Sequence, residues 1–286
     1  MLAEESTEEV IASAQYNWRD IQSALSNKNE SMNPNEIHSI IDVVYFFGDK
    51  DVRNGDGLSR IEYLQKHLKF DDAVPKDIQT ELRFLSAGIA GEESRFRDGI
   101  KSTVHAGGIF QFMPETVERL GYEQFVIYTD GKATDLQSIP YTIQVEILGK
   151  HLSAIYKELY GHLDVSEIDP IQQLFNSEGD FNKFFLAPVM INAYNTGAGR
   201  MSRAIKEFAS PDRVFELHEK YNEMAGYDVF DDLVEFSKHS NTGSLSGYKT
   251  ASASYTYKVF GYALSISQGY DEYKQRLDIY DVASNK

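Results

Sequence analysis

The chain has 286 residues, 42% hydrophobic and 25% charged, the balance of a soluble globular protein with enough chain for one large domain or two small ones. It has no cysteine, which excludes disulfide frameworks, zinc–thiolate sites and cysteine nucleophiles. A net charge of −16 without any basic run speaks against nucleic acid as a partner, because a phosphate backbone rewards clustered Lys and Arg.

No apolar run approaches the ~18 residues that a membrane span needs. The opening "MLAEESTEE" lacks the charged and apolar regions of a signal peptide. On that reading the protein either stays inside the cell or starts after a removed leader. The 18 Tyr and 17 Phe suit a packed helical core, and tyrosines in a groove also suit sugar stacking and hydrogen bonding.

From the N-terminus, Ile11, Ala14, Trp18, Ile21 and Leu25 alternate steps of three and four, one buried helical stripe. In "NPNEIHSIIDVVYFFG" Asn33 reads as N-cap, Pro34 as the first helical residue, Glu36 as the capping-box partner and Gly48 as the stop. "SRIEYLQKHLKF" repeats the device with Ser59 and Glu62. Between these helices lies "DVRNGDGLSRIE", Asp51 to Glu62, with the twelve-residue length of an EF-hand loop, Asp first and Glu twelfth. Its middle is out of register, since Asn54 and Asp56 each stand one place late and Arg53 occupies a ligand position. Asp51, Asn54, Asp56 and Glu62 are the oxygens that would hold a structural Ca2+ after local rearrangement. The competing reading is a polar turn whose Ser59 and Glu62 only cap a helix.

A soft boundary falls in "DDAVPKD", Asp71 to Asp77, making residues 1–75 an N-terminal helical subdomain and 76–286 a second domain. "VPKDIQTELRFLSAGIAGEE" reads as a helix ending at two adjacent glutamates, Glu92 and Glu93. "PETVERLG" is a short helix between Pro and Gly, and a small hairpin fits within 121–137. "YTIQVEILGKHLSAIYKELYG" is a long helix; "APVMINAYNTGAGR" is an apolar helix broken by glycine, after which "MSRAIKEF" resumes. "SASYTYKVFGYALSI" is a late helix. The expected fold class is therefore mostly α. The histidines show no H-E-x-x-H spacing that would suggest catalytic zinc.

Glu93-Ser94-Arg95-Phe96, then Ser102, Gly108, Gln111, Met113 and Pro114, resemble the E-S-x-[FW] … S … G-x-x-Q-x-M-P pattern of the soluble lytic transglycosylases of glycoside hydrolase family 23. Ala193-Tyr194-Asn195-Thr196-Gly197 is similar to that family's A-Y-N-x-G, and Tyr255 with Val259 resembles its late Y-V-x-x-V. The motifs occur in the family's order across roughly residues 81–265. The resemblance implies a lysozyme-like helical domain, of the kind shared with goose-type lysozyme, acting on the MurNAc–GlcNAc β-1,4 bonds of peptidoglycan glycan strands. It also implies a monomer in the periplasm or outside the cell, and no cofactor required for catalysis.

By motif position Glu93 is the acid. Adjacent helical residues point about 100° apart, so Glu92 is expected to face solvent instead of the same cleft. A partly desolvated carboxyl at the end of an apolar helix, behind Phe84, Leu85 and Ile89, is expected to have a raised pKa and to stay protonated. The resemblance implies substrate assistance, with Glu93 serving first as acid and then as base to close a 1,6-anhydro ring. In the same scheme Tyr194 would orient the Glu93 carboxyl. Ser102 and Gln111 would meet the acetamido group and hydroxyls, and Gly108 would let backbone approach a sugar. Asn195 reads equally as a structural bond at the helix break or a substrate contact, and Tyr255 as a groove tyrosine or core.

The chain departs from the family at His105, where a Gly is usual, at Asp98 in place of Pro, and at Val145 in place of the Asn of a helical N-I-x-x-G element ending at Gly149. Two insertions are expected, near 160–186 and 208–250. Two other classes compete: a hydrolase like goose-type lysozyme, and a peptidoglycan-binding protein without turnover. "KSTVHAGGIF" carries no carboxylate to position water, which favours the lyase over the hydrolase.

Overall fold

The computed structural model describes residues 60–266 apart from 98, 222–224, 240–251, 253 and 265. The helices expected around Ile11–Leu25 and Asn33–Gly48, and Ser59, lie outside the described residues. So do Asp51, Asn54 and Asp56 of the proposed calcium loop.

Within the described residues the protein is predominantly helical, as its periodicity predicts. The helices are α1 (Arg60–His67), α2 (Lys76–Ser94), α3 (Pro114–Arg119), α4 (Tyr141–His162), α5 (Val165–Gln172) and α6 (Glu178–Phe181). A π-helical segment, Asn182–Leu186, runs into α7 (Ala187–Thr196), followed by α8 (Ala198–Phe208), α9 (Pro211–Tyr221) and α10 (Tyr227–His239). Residues 254–264 are also helical. One antiparallel pair joins β1 (Val126–Thr129) to β2 (Lys132–Leu136).

Local chemistry explains the boundaries. Pro114 opens α3 because its missing N–H costs nothing in the first turn. Gly121 (φ 86°) closes it, donating to the Glu118 carbonyl at 2.9 Å. The hairpin turns on Asp130 and Gly131, both with positive φ (52° and 74°), the backbone that the right-handed twist of paired strands demands of a two-residue turn. Gly197 (φ 89°) separates α7 from α8.

The chain divides into two compact units. Unit one holds the described residues up to Leu68, Arg83–Leu148 and the described residues from Tyr257 onward. Its core includes Phe84, Leu85, Ile89, Phe96, Phe110 and Phe112 from α2 and the loop that follows it, all buried. Residues 254–264 are buried nearly all round, including Ser254 and Thr256, with Lys258 partly exposed. They meet α2 where α2 has no side chains: a Cβ on Gly88 would lie 2.0 Å from the Val259 carbonyl oxygen, and one on Gly91 2.9 Å from Tyr262.

Unit two holds Lys69–Leu82 and Gly149–Thr256. Phe175, Phe181 and Phe185 form an aromatic cluster with centroids 5.6–6.4 Å apart. Asn182 donates to Asp77 at 2.7 Å, and Lys157 pairs with Asp71 at 2.6 Å. Of the two stretches read as insertions, the first carries α5, α6 and the π segment, and the described part of the second carries α9 and α10. Lys220 and Tyr221 of α9 both reach Asp232 of α10 at 2.8 Å.

Candidate active site

The glutamates end α2, and the backbone there is held with care. Arg95 and Phe96 both adopt the left-handed region (φ 54° and 57°), although neither is glycine. Such residues cost on the order of 1–3 kcal/mol each and persist where surrounding contacts over-determine them. Those contacts are present. The Phe96 N–H reaches back to the Ala90 carbonyl at 3.2 Å, and the Phe96 ring is 1% exposed. Its carbonyl accepts from Arg60 Nη1 at 2.6 Å, while Tyr141 donates its hydroxyl to the Arg60 carbonyl at 2.7 Å. Arg97 Nε donates to the Ser94 carbonyl at 3.1 Å, satisfying an acceptor that a helix end leaves open.

Glu93 sits in this last turn, half-buried. Glu92 departs from expectation. It does not point freely into solvent: its side chain is 23% exposed, with Lys258 Nζ 3.8 Å from Oε1. The close passage of residues 254–264 along α2 brings that lysine to the helix, a tertiary effect that helical angles alone do not contain.

The following loop is built by hydrogen bonds at both ends. Gly107 and Phe112 exchange two backbone bonds of 3.0 Å each, and Lys101 bridges to Gly107. Lys101 Nζ also pairs with Asp135 of β2 at 2.8 Å. Ser102 Oγ accepts from the Ala106 and Val104 amides at 3.0 and 3.3 Å, so the hydroxyl shapes the turn while retaining its own proton to donate. His105 has φ 65°, a left-handed backbone of the kind that favours glycine.

Gln111 (φ 50°) turns its amide inward, Nε2 donating to the Gly108 carbonyl at 2.7 Å and to the Ile100 carbonyl at 2.9 Å. Both amide hydrogens are thereby used on backbone. Only Oε1 stands outside these two bonds, so Gln111 offers a ligand an acceptor and no donor. Gly108 (φ 80°) has no room for a side chain, because a Cβ would lie 2.5 Å from Gln144 Oε1. Gln144, 1% exposed on α4, accepts from the Ile109 amide at 2.7 Å and donates to the Ile139 carbonyl at 2.8 Å. Sequence reasoning missed it. The available signal was a lone carboxamide in the apolar run "YTIQVEIL", one place before the Val145 departure.

The second motif closes α7 in unit two. Tyr194 is half-buried, its ring 5.1 Å from that of His151, and Asn195 is exposed. The anchor of this segment is Asn192, fully buried, which donates to the Ser252 carbonyl at 3.0 Å and to Thr256 Oγ1 at 3.2 Å. Thr196 Oγ1 returns to the Asn192 carbonyl at 2.9 Å. Tyr255, from the third motif, is 4% exposed. Glu93, Ser102, Gly108 and Gln111 thus belong to unit one, and Tyr194, Asn195 and Tyr255 to unit two.

Of the four proposed calcium ligands only Glu62 is described, half-buried in the first turn of α1. Among the described residues no three His, Cys, Asp or Glu side chains gather closely enough to hold a metal. No described helix is long and apolar enough to cross a membrane.

No curated protein and no solved structure matches the chain. A family does: residues 79–214 match the Transglycosylase SLT domain, a stretch that takes in Glu93, the 101–112 loop and the Tyr194 motif. With the motifs in family order on a predominantly helical fold, segment 79–214 is identified as a Transglycosylase SLT domain.

Proposed function

We propose that the protein is a peptidoglycan lytic transglycosylase that cleaves the MurNAc–GlcNAc β-1,4 bond and leaves a 1,6-anhydro-MurNAc end. The observation that carries this reading is the SLT match over 79–214, within which Glu93 ends a buried helix at the E-S-x-F motif.

Glu93 is the single acid and base. In its protonated form it gives its proton to the glycosidic oxygen as the bond to the anomeric carbon breaks. The N-acetyl oxygen of the same muramic residue assists at that carbon from the opposite face. The Glu93 carboxylate then takes the proton of the 6-hydroxyl, whose oxygen closes on the anomeric carbon and displaces the acetamido oxygen. Protons balance and no water enters, so the products together have the mass of the substrate. The negative end of the α2 dipole disfavours an anion in the last turn, which supports a neutral acid in the resting site.

Tyr194 is assigned, by its place in the motif, to substrate binding. Ser102, as donor, and Gln111, as acceptor, suit opposite ends of an acetamido group. Gly108 is assigned, by its place in the motif, to close approach of the loop backbone to a sugar ring. Asn195, exposed beside Tyr194, is assigned to the glycan groove, and Tyr255, 4% exposed, to the core. Residues 101–110 carry no carboxylate to hold an attacking water, which favours the lyase over a goose-type-lysozyme-like hydrolase. The substrate places the protein in the periplasm or outside the cell.

Mass spectrometry of digested sacculi tests the reading. Muropeptides one water lighter than lysozyme products are expected; hydrated reducing ends alone would assign a hydrolase, and no release at all a binding protein.

A further inference from the structure

The Gly108–Ile109 peptide bond is gripped at both of its polar atoms by side-chain amides. Its carbonyl accepts from Gln111 Nε2 at 2.7 Å, and its N–H donates to Gln144 Oε1 at 2.7 Å. The two grips differ in kind. Gln111 is half-exposed and belongs to the loop itself, whereas Gln144 comes from α4, 35 residues away, and is buried. Gln144 cannot reverse its amide. With oxygen and nitrogen exchanged, its NH2 would face the Ile109 N–H and its oxygen the Ile139 carbonyl, which now accepts at 2.8 Å.

A peptide preceded by a glycine with φ 80° has an easy alternative, rotation of its plane, because no Cβ opposes it. Rotation here would break both grips and release Gln111 Nε2 from the Gly108 carbonyl. Gln111 would then no longer be restricted to presenting an acceptor. The would-be Cβ position at Gly108 is taken by Gln144 Oε1 itself, so the same atom that locks the peptide also requires the glycine.

We propose that Gln144 is a positioning residue: it locks the Gly108–Ile109 peptide plane and so holds Gln111 as an acceptor for the sugar acetamido N–H. This rests on the lytic transglycosylase reading for its catalytic consequence, but not for the lock. Gln144 touches no substrate. Its contribution is geometric, and a displacement of about 1 Å in a positioning group can cost on the order of a hundred-fold in rate.

Three measurements on the full chain test it, using Gln144→Leu and the near-isosteric Gln144→Glu. Hydrogen exchange at the Ile109 amide is expected to quicken at least ten-fold in Gln144→Leu while α2 amides stay protected. Turnover on saturating peptidoglycan is expected to fall roughly a hundred-fold, while retention on insoluble peptidoglycan in a Glu93→Gln background changes less than three-fold. A general loss of packing would move both. In Gln144→Glu a neutral carboxyl can accept from Ile109 and donate to Ile139, but a carboxylate cannot donate. Its activity relative to the unsubstituted protein should therefore recover as pH falls. If Gln144→Leu does not fold, the Gln144→Glu profile and its Ile109 exchange decide alone. Unchanged Ile109 exchange, undiminished turnover in a folded variant, or a Gln144→Glu ratio flat with pH overturns the proposal. An unsubstituted protein without turnover instead overturns the enzymatic reading and leaves the lock to be judged by exchange.

Discussion

Gly88 of α2 lies directly against the backbone of Val259, so close that a Cβ would stand 2.0 Å from the Val259 carbonyl oxygen. One turn later Gly91 leaves the space that Tyr262 occupies. Two glycines three residues apart let two helices meet backbone to backbone, immediately before the glutamates. The third motif thereby gains a structural role, because Val259 packs on the helix that ends in Glu93.

Gly88→Ala is therefore expected to destabilise the protein by about 3 kcal/mol or more, since backbone rather than a flexible side chain must yield. Gly91→Ala meets side-chain atoms at 2.9 Å and should cost less, about 1–2 kcal/mol. Gly161→Ala, in α4 with open space around it, should stabilise by up to about 1 kcal/mol. Thermal or urea denaturation of the three variants checks the order; a Gly88→Ala protein as stable as Gly161→Ala would refute the close contact.

Glu81, 9% exposed on α2, has its carboxyl pushed from an ordinary 4.5 up to about 7, chiefly by burial, with Asp77 adding and Lys183 opposing. Between pH 4.5 and 7 the unfolded chain has released this proton and the folded chain keeps it. The unfolded state binds fewer protons there, so stability falls as pH rises through that window, by up to about 3 kcal/mol, and levels off above it. Gln at this position removes the titration. Glu81→Gln should melt higher than the unsubstituted protein at pH 8, with the difference shrinking toward pH 4.5. A difference independent of pH would show that burial of the charge is not the cause.

The paired glutamates should behave unequally. Glu93→Gln is expected to leave the melting temperature nearly unchanged and abolish release of anhydro-muropeptides. Glu92→Gln removes the charge from a partly exposed ion pair with Lys258, worth under about 1 kcal/mol, and should keep turnover within a few-fold. Comparable losses in both variants, or substantial turnover without the Glu93 carboxyl, would remove the assignment of the acid.

Asn192 holds α7 to the segment around Ser252–Thr256 with both bonds buried or nearly so. Asn192→Ala strands these partners and should cost about 2–3 kcal/mol; Asn192→Asp adds a buried charge and should cost more. Denaturation midpoints in the order unsubstituted, Ala, Asp are expected. Because Tyr194 lies two residues on, turnover should fall in both variants; full activity in either would separate the anchor from the site.

Much of the local architecture was legible in the sequence. Pro114 and Gly121 bracket a helix because one lacks an N–H that a first turn does not use and the other tolerates a left-handed backbone. The hairpin in 121–137 forms where Asp130 and Gly131 permit two positive φ angles. The motif order located Glu93 and the 101–112 loop, and the SLT match covers both. The surroundings of Glu92 do not follow from an angle along one helix, because Lys258 comes from a segment far along the chain. Gln144 was overlooked for the same kind of reason, since nothing local tells a buried glutamine that its partner is the amide of Ile109.

By itself the sequence determined where the described helices start and stop and which glutamate stands in the motif. Those properties follow from short-range rules: helical period, capping, turn angles and the identity of a few side chains. Tertiary structure alone decided that Gly88 lies against Val259 and that Gln144 of α4 grips the Ile109 amide. Both depend on two segments distant in sequence meeting within hydrogen-bond or van der Waals range, and packing the whole chain is what brings them there.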